Sequence, residues 1–330
     1  MTSAEVERAP LPALTGARFF AAFAIVVHHY GRGSIGFLGP LAVCAKAGPT
    51  AVSFFYVLSG AVLTWGCTGA DGQPARPTRT FWIQRAARIL PAYFLALGLS
   101  ILPFAALVMK LHGSAGGMLR TALGVAASSL LVQAFVVPLA VGLNTPAWSV
   151  SCEAFFYATW PRLVAALRSP RPAFPFRSAI AAWLFGLVAP VCAIAALAAD
   201  VAPGGSFATL LEDVSGPELV VRAVSYFPPF RLPEFALGIV VGHALRHTPN
   251  RARSVAADTA RELLLCAALV AVTWLLGAGV FGRFSNAALA NRILVESGTT
   301  SLLFALVVWQ LARGNGMVQR LLARPSLLAL

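Results

Sequence analysis

The sequence predicts an all-α protein, a polytopic bundle of transmembrane helices with about nine to ten spans. Three observations predict it. Hydrophobic residues fill 58% of the 330 positions and charged residues only 11%, at a mean hydropathy of +0.77. Apolar runs recur at the length a helix needs to cross hydrocarbon. The basic residues sit in short clusters between those runs, so the net charge of +13 is patterned for a bilayer rather than for nucleic acid. The cysteines, Cys44, Cys67, Cys152, Cys192 and Cys266, are scattered and odd in number. They show neither metal-ligand spacing nor a disulfide framework, and no metal site is expected. Residues 1–330 read as a single integral membrane domain without internal repeats. Met1 to Pro12 reads as a retained cytosolic tail.

The first span, Leu14 to Tyr30, carries Arg18, His28 and His29 in an otherwise apolar run. A charged or titratable side chain in hydrocarbon is costly and marks a functional site by default. On an α-helix, Arg18 and His29 fall within roughly 20° of one face and about 16 Å apart. The alternative is an arginine that snorkels to the headgroups and histidines that cap the far interface. After a glycine-rich loop, Gly31 to Gly48, the second span covers Pro49 to Gly66. Its Ser59 and Gly60 permit close helix approach. The third span opens at Phe81 and runs to about Leu111. It places Arg85 and Arg88 at i and i+3 on one face, suited to an anionic headgroup or a nucleotide phosphate.

Leu119 to Gly142 is apolar but interrupted, and with the approach to Ala147 it is expected to be re-entrant rather than a simple crossing. The next span follows Asn144 and runs to about Leu167, with Glu153 inside it. Further spans cover Ala179 to Ala199, Tyr226 to Leu245, Leu263 to Phe281 and Ile293 to Leu311, and the second of these carries Arg231 and Glu234. Four loops hold the arginines: Arg76 and Arg79, leading to Arg85 and Arg88; Arg162, Arg168, Arg171 and Arg177; Arg246, Arg251, Arg253 and Arg261; and Arg313, Arg320 and Arg324. The loop from Ala199 to Val221 is acidic, with Asp200, Glu212, Asp213 and Glu218. This bias places the arginine loops and the N-terminus in the cytosol.

Five stretches together resemble the membrane-bound acyltransferase-3 family. They are Arg18 with His29, Phe54 to Gly60, Arg85 to Tyr93, Trp148 to Tyr157, and Arg231 to Gly238. The resemblance implies O-acylation of envelope glycans or natural products such as macrolides in a bacterial inner membrane. It also implies acyl-CoA, acetyl-CoA first, as donor. Family members usually continue into further helices where this chain stops at Leu330, so truncation of the C-terminal helices is expected.

Acyl transfer to a hydroxyl needs a base, charge stabilisation and a grip on the donor. Histidine suits the first task, and His29 is the expected base, with Arg18 on the same face but toward the cytosolic side, where acyl-CoA is available. Glu153 is expected either to orient His29 or to pair with an arginine. Arg85 and Arg88 are the expected donor-binding pair. Trp148, Ser151, Arg231, Glu234 and His28 are expected to shape the cavity. No bound cofactor is expected; the partners are acyl-CoA, a carbohydrate or glycosylated acceptor, and lipid. The rival reading is a transporter or flippase of a glycan or small metabolite, because buried Arg, His and Glu also mark substrate paths.

Overall fold

The computed structural model describes residues 10–31, 34–69, 71–167, 222–248, 254–279 and 298–328, with isolated positions between 177 and 188. The expected acidic loop and the bulk of the span from Ala179 to Ala199 lie outside the described residues, as do Cys192, Arg168, Arg171, Arg251 and Arg253. Every named element among the described residues is a helix, and no strand forms among them. Three described helices are long and apolar enough to cross a membrane: Thr50–Cys67, Thr78–Ser129 and Val255–Gly277.

Helix α1 spans Pro12–Val26 and starts on a proline, whose missing N–H costs nothing in a first turn. It passes directly into a π turn, Val27–Gly31. A 3₁₀ stretch, Gly36–Ala47, leads to α2, Thr50–Cys67. Helix α3, Thr78–Ser129, has two arms that meet at Gly113, where φ is 74°. Only glycine adopts that backbone without penalty, so the first arm ends where the expected third span ends. From Leu130 to Ala147 the chain has only turns and two short 3₁₀ pieces, Val137–Leu139 and Thr145–Ala147. Gln133, Ala134 and Ala140 are buried there. The expected re-entrant segment is therefore helical to Ser129, within the second arm of α3, and irregular only beyond it, where Leu130 is exposed.

Helix α4 is Trp148–Ala166, α5 is Pro228–His247, and α6 is Val255–Gly277. The last begins eight residues before the expected Leu263, because polar Asp258, Thr259 and Glu262 form helical turns that an apolar pattern does not signal. Helix α7 is Ser301–Arg313, α8 is Met317–Leu322 and α9 is Pro325–Leu328.

Helices α2 and α5 form the centre and run parallel. A Cβ on Gly60 would collide with the carbonyl of Phe235, one on Gly238 with that of Val57, and one on Gly242 with that of Ala61. Small residues at these three points let the backbones touch, the usual device where helix association cannot draw on water exclusion. Val57, Leu58 and Ala61 bury against Leu237, Val240 and Val241, and Phe54 and Phe304 meet edge to face. A second core joins Tyr56, Phe156 and Trp160 to Phe235. Helix α4 lies parallel to α5, with Phe156 stacked on Phe235 at 4.9 Å and His243 Nε2 3.1 Å from the carbonyl of Val164. The first arm of α3 is antiparallel to α4: Phe81 stacks on Trp160 at 4.6 Å, and Trp82 donates to the carbonyl of Tyr157.

Arg246, from the end of α5, donates to the carbonyls of Trp65, Thr68 and Gly69 at the end of α2. A guanidinium there satisfies carbonyls that the helix leaves open. Arg313 donates to Thr248, bringing the end of α7 to the same place. Asp258, Thr259 and Glu262 accept backbone N–H groups of Asn315, Met317, Val318 and Gln319, which seats α8. Helix α1 starts at this end as well, with Gly16 against the carbonyl of Leu322.

Candidate active site

Helix α1 carries Arg18 about a turn and a half in. It is half-buried, within electrostatic range of Glu153 and Tyr157 on α4 and of Arg85 and Arg88 on α3. Antiparallel packing of α3 on α4 makes this convergence, since Trp82 opposite Tyr157 puts the next turns of α3 opposite Glu153. Arg18 and Arg88 thus lie within electrostatic range of the Glu153 carboxylate, with Arg85 near Arg18, an excess of positive charge suited to an anion with several charges.

Glu153 is held by Tyr157, one turn further along α4, whose hydroxyl donates to Oε2 at 3.3 Å. Ser59 Oγ stands 3.2 Å from the same hydroxyl, linking α2 into the string. Tyr157 and Ser59 lie within stretches that carry the family resemblance, yet neither was expected as a site residue. The signal for Tyr157 was its i+4 position from Glu153. Ser59 had none beyond its small size, because its partner lies on another helix.

Of the two expectations for Glu153, the structure shows the arginine surroundings. Its electrostatic neighbours include Arg18 and Arg88. Arg18 lies about 16 Å along α1 from His29, so this carboxylate sits toward the Arg18 end of the helix. The π turn also changes the expected shared face. Each residue of a π turn advances less around the axis than in an α-helix, so His29 falls short of the position that α-helical spacing assigns it. His29 is exposed, edge-on to His28 at 5.2 Å and 6.1 Å from the ring of Tyr30.

A cavity of about 250 Å³ opens beside the arginines, lined by Arg85, Tyr157, Trp82, Ile89, Ala154 and Leu131. Leu131 has φ of 58°, a left-handed conformation disfavoured for a branched residue. Ser151 donates to its carbonyl at 2.6 Å and helps hold it there. Ser151 thus shapes the cavity through the backbone. A larger apolar cavity, about 410 Å³, lies between α1 and α6, lined by Ala17, Ala21, Phe54, Leu269 and Phe304 among others.

Arg231 and Glu234 form an intrahelical ion pair at 2.9 Å with both side chains buried. Arg231 also donates to Ser53 at 3.2 Å and lies over the rings of Tyr56 and Trp148, at 5.4 and 5.9 Å. This ties α2, α4 and α5 together, and Trp148 acts there as a cation–π partner. The pair is separate from the Arg18 cluster. Among the described residues no group of three His, Cys, Asp or Glu side chains could hold a metal ion.

A family model described as an acyltransferase domain, Acyl_transf_3, matches residues 11–326. The match takes in α1 with its arginine and histidines, the α3 arginines, and Glu153 with Tyr157. The chain belongs to this acyltransferase family. Acyltransferase MdmB of Streptomyces mycarofaciens is similar, 32% identical over 272 residues, which is 78% of this chain and 62% of that protein. The chain therefore covers less than two thirds of that acyltransferase's length. No solved structure matches it. With the apolar helices, family membership makes this a membrane protein.

Proposed function

We propose that this acyltransferase-family protein moves an acyl group, acetyl first among candidates, from acyl-CoA to a hydroxyl of a carbohydrate or glycosylated acceptor. One observation carries the reading: Arg85 and Arg88 lie within electrostatic range of Arg18 at the Glu153 end of α4, and Arg85 lines a cavity there. A CoA thioester combines several phosphate charges with a long, flexible arm. In this reading Arg85 and Arg88 grip the phosphates, while Glu153 and Tyr157 hold Arg18 in place. The arm runs along α1 toward its other end, where His29 acts.

His29 takes the proton of the acceptor hydroxyl as its oxygen attacks the thioester carbonyl. The acyl–oxygen bond forms, the acyl–sulfur bond breaks, and the imidazolium returns the proton to the departing thiolate. The arginine-rich end of the bundle faces the cytosol of an inner membrane, where acyl-CoA is made, and the histidines lie toward the opposite surface. A transporter would need no group that exchanges a proton with a hydroxyl and would yield no covalent product.

Titration calorimetry of CoA against wild type and Arg85→Ala/Arg88→Ala tests the donor site. Each charge-assisted contact is worth about 1.5–3 kcal/mol, so the double variant should bind at least tenfold more weakly while remaining folded. Unchanged affinity would remove the arginines from the donor site and leave them as lipid anchors.

A further inference from the structure

His28 takes no part in the chemistry proposed above, yet its ring is tied to the backbone of another segment. Its Nδ1 stands 2.7 Å from the carbonyl oxygen of Ala45, seventeen residues on. A carbonyl oxygen can only accept, so Nδ1 carries the proton and donates it, leaving Nε2 as the basic nitrogen of the neutral ring. Gly48 lies against the same side chain, and a Cβ there would collide with Cβ and Cγ of His28. The ring then meets His29 nearly at right angles, at 88° and 5.2 Å between centroids.

The turn that carries both histidines is not enclosed by the bundle. No residue of Val27–Gly31 is buried. A π turn is an uncommon, locally wide piece of helix, often found at functional sites. The His28 bond ties this turn to the 3₁₀ stretch Gly36–Ala47, and the absent side chain at Gly48 makes the close approach possible.

We infer that His28 is the positioning residue of His29: its Nδ1–H anchors the π turn to Ala45, and its ring edge sets the plane in which the His29 ring lies. The inference rests on the proposed role of His29 as base. It assigns Gly48 a part as well, because a methyl group there pushes the anchor off its carbonyl.

The test compares His28→Asn with His28→Leu in the full chain. The asparagine amide sits, like Nδ1, two bonds from Cβ and can donate to Ala45; leucine cannot. His28→Leu should lower kcat by about 10- to 100-fold through misplacement of the base, with KM for both substrates unchanged. His28→Asn should recover most of that loss, and Gly48→Ala should resemble His28→Leu. Nitrogen NMR of ¹⁵N-histidine-labelled protein should show an Nδ1-protonated neutral ring that disappears in His28→Leu. An Nε2-protonated ring at His28 overturns the inference whatever the activities. So does a His28→Asn protein as inactive as His28→Leu, or a His28→Leu protein with wild-type kcat. Failure of the wider reading shows separately, as wild-type acyl transfer by His29→Ala.

Discussion

Tyr157 is the residue through which the arginine cluster is assembled, since its hydroxyl meets both Glu153 and Ser59. Removing that hydroxyl leaves the ring in its edge contact with Phe81 but frees the carboxylate that Arg18 faces. Tyr157→Phe should therefore stay folded and lose donor affinity. A hydrogen bond to a charged group contributes about 1.5–3 kcal/mol, so KM for acyl-CoA should rise roughly tenfold or more. Steady-state kinetics with varied donor check this, and an unchanged KM would show that Glu153 needs no such support. The sequence disclosed Arg18, Arg85, Arg88 and Glu153 because charge in an apolar run is conspicuous. It did not disclose which of them meet. That Glu153 lies within electrostatic range of Arg18 and Arg88 follows from helix packing, and no spacing within one segment encodes it.

The central pair α2 and α5 depends on glycine at the points where the backbones touch. Gly238→Ala places a methyl group against the carbonyl of Val57 and should destabilise by about 1–3 kcal/mol, the cost of overpacking. Gly66 is the control, as nothing lies within 4 Å of its would-be Cβ, and Gly66→Ala should be neutral or mildly stabilising. Thermal melting in detergent compares the two; equal melting temperatures would mean that the helices do not rely on this contact. Helix boundaries were legible where hydropathy changes abruptly, as at α2, or where backbone chemistry demands a break, as at Gly113. The π turn was not legible. Val27 to Gly31 contains no proline to signal it, its histidines suit an α-helix as well as a π turn, and the carbonyl that accepts the bond from His28 belongs to Ala45, outside the span.

The arrangement of charge ties the elements into one molecule. Hydrogen bonds from Arg246 and Arg313 gather the ends of α2, α5 and α7, and α1 begins at that end too. Among the described residues, helix ends that border arginine-bearing loops thus meet at one end of the bundle. The arginine cluster lies deeper, and the histidines lie at the far end of α1. That separation is the physical content of the proposed reaction, with donor charge held on one side and the proton transferred toward the other. The most direct measurement is acyl transfer from externally added acyl-CoA to a glycosylated acceptor present on both sides of sealed membrane vesicles of defined orientation. Inside-out vesicles should transfer the acyl group from added acyl-CoA and right-side-out vesicles should not. His29→Ala, present at normal abundance and still binding CoA, should lose roughly 10²–10⁴-fold of the rate. Near-normal transfer by that variant, or equal transfer in both orientations, would contradict the proposed reaction.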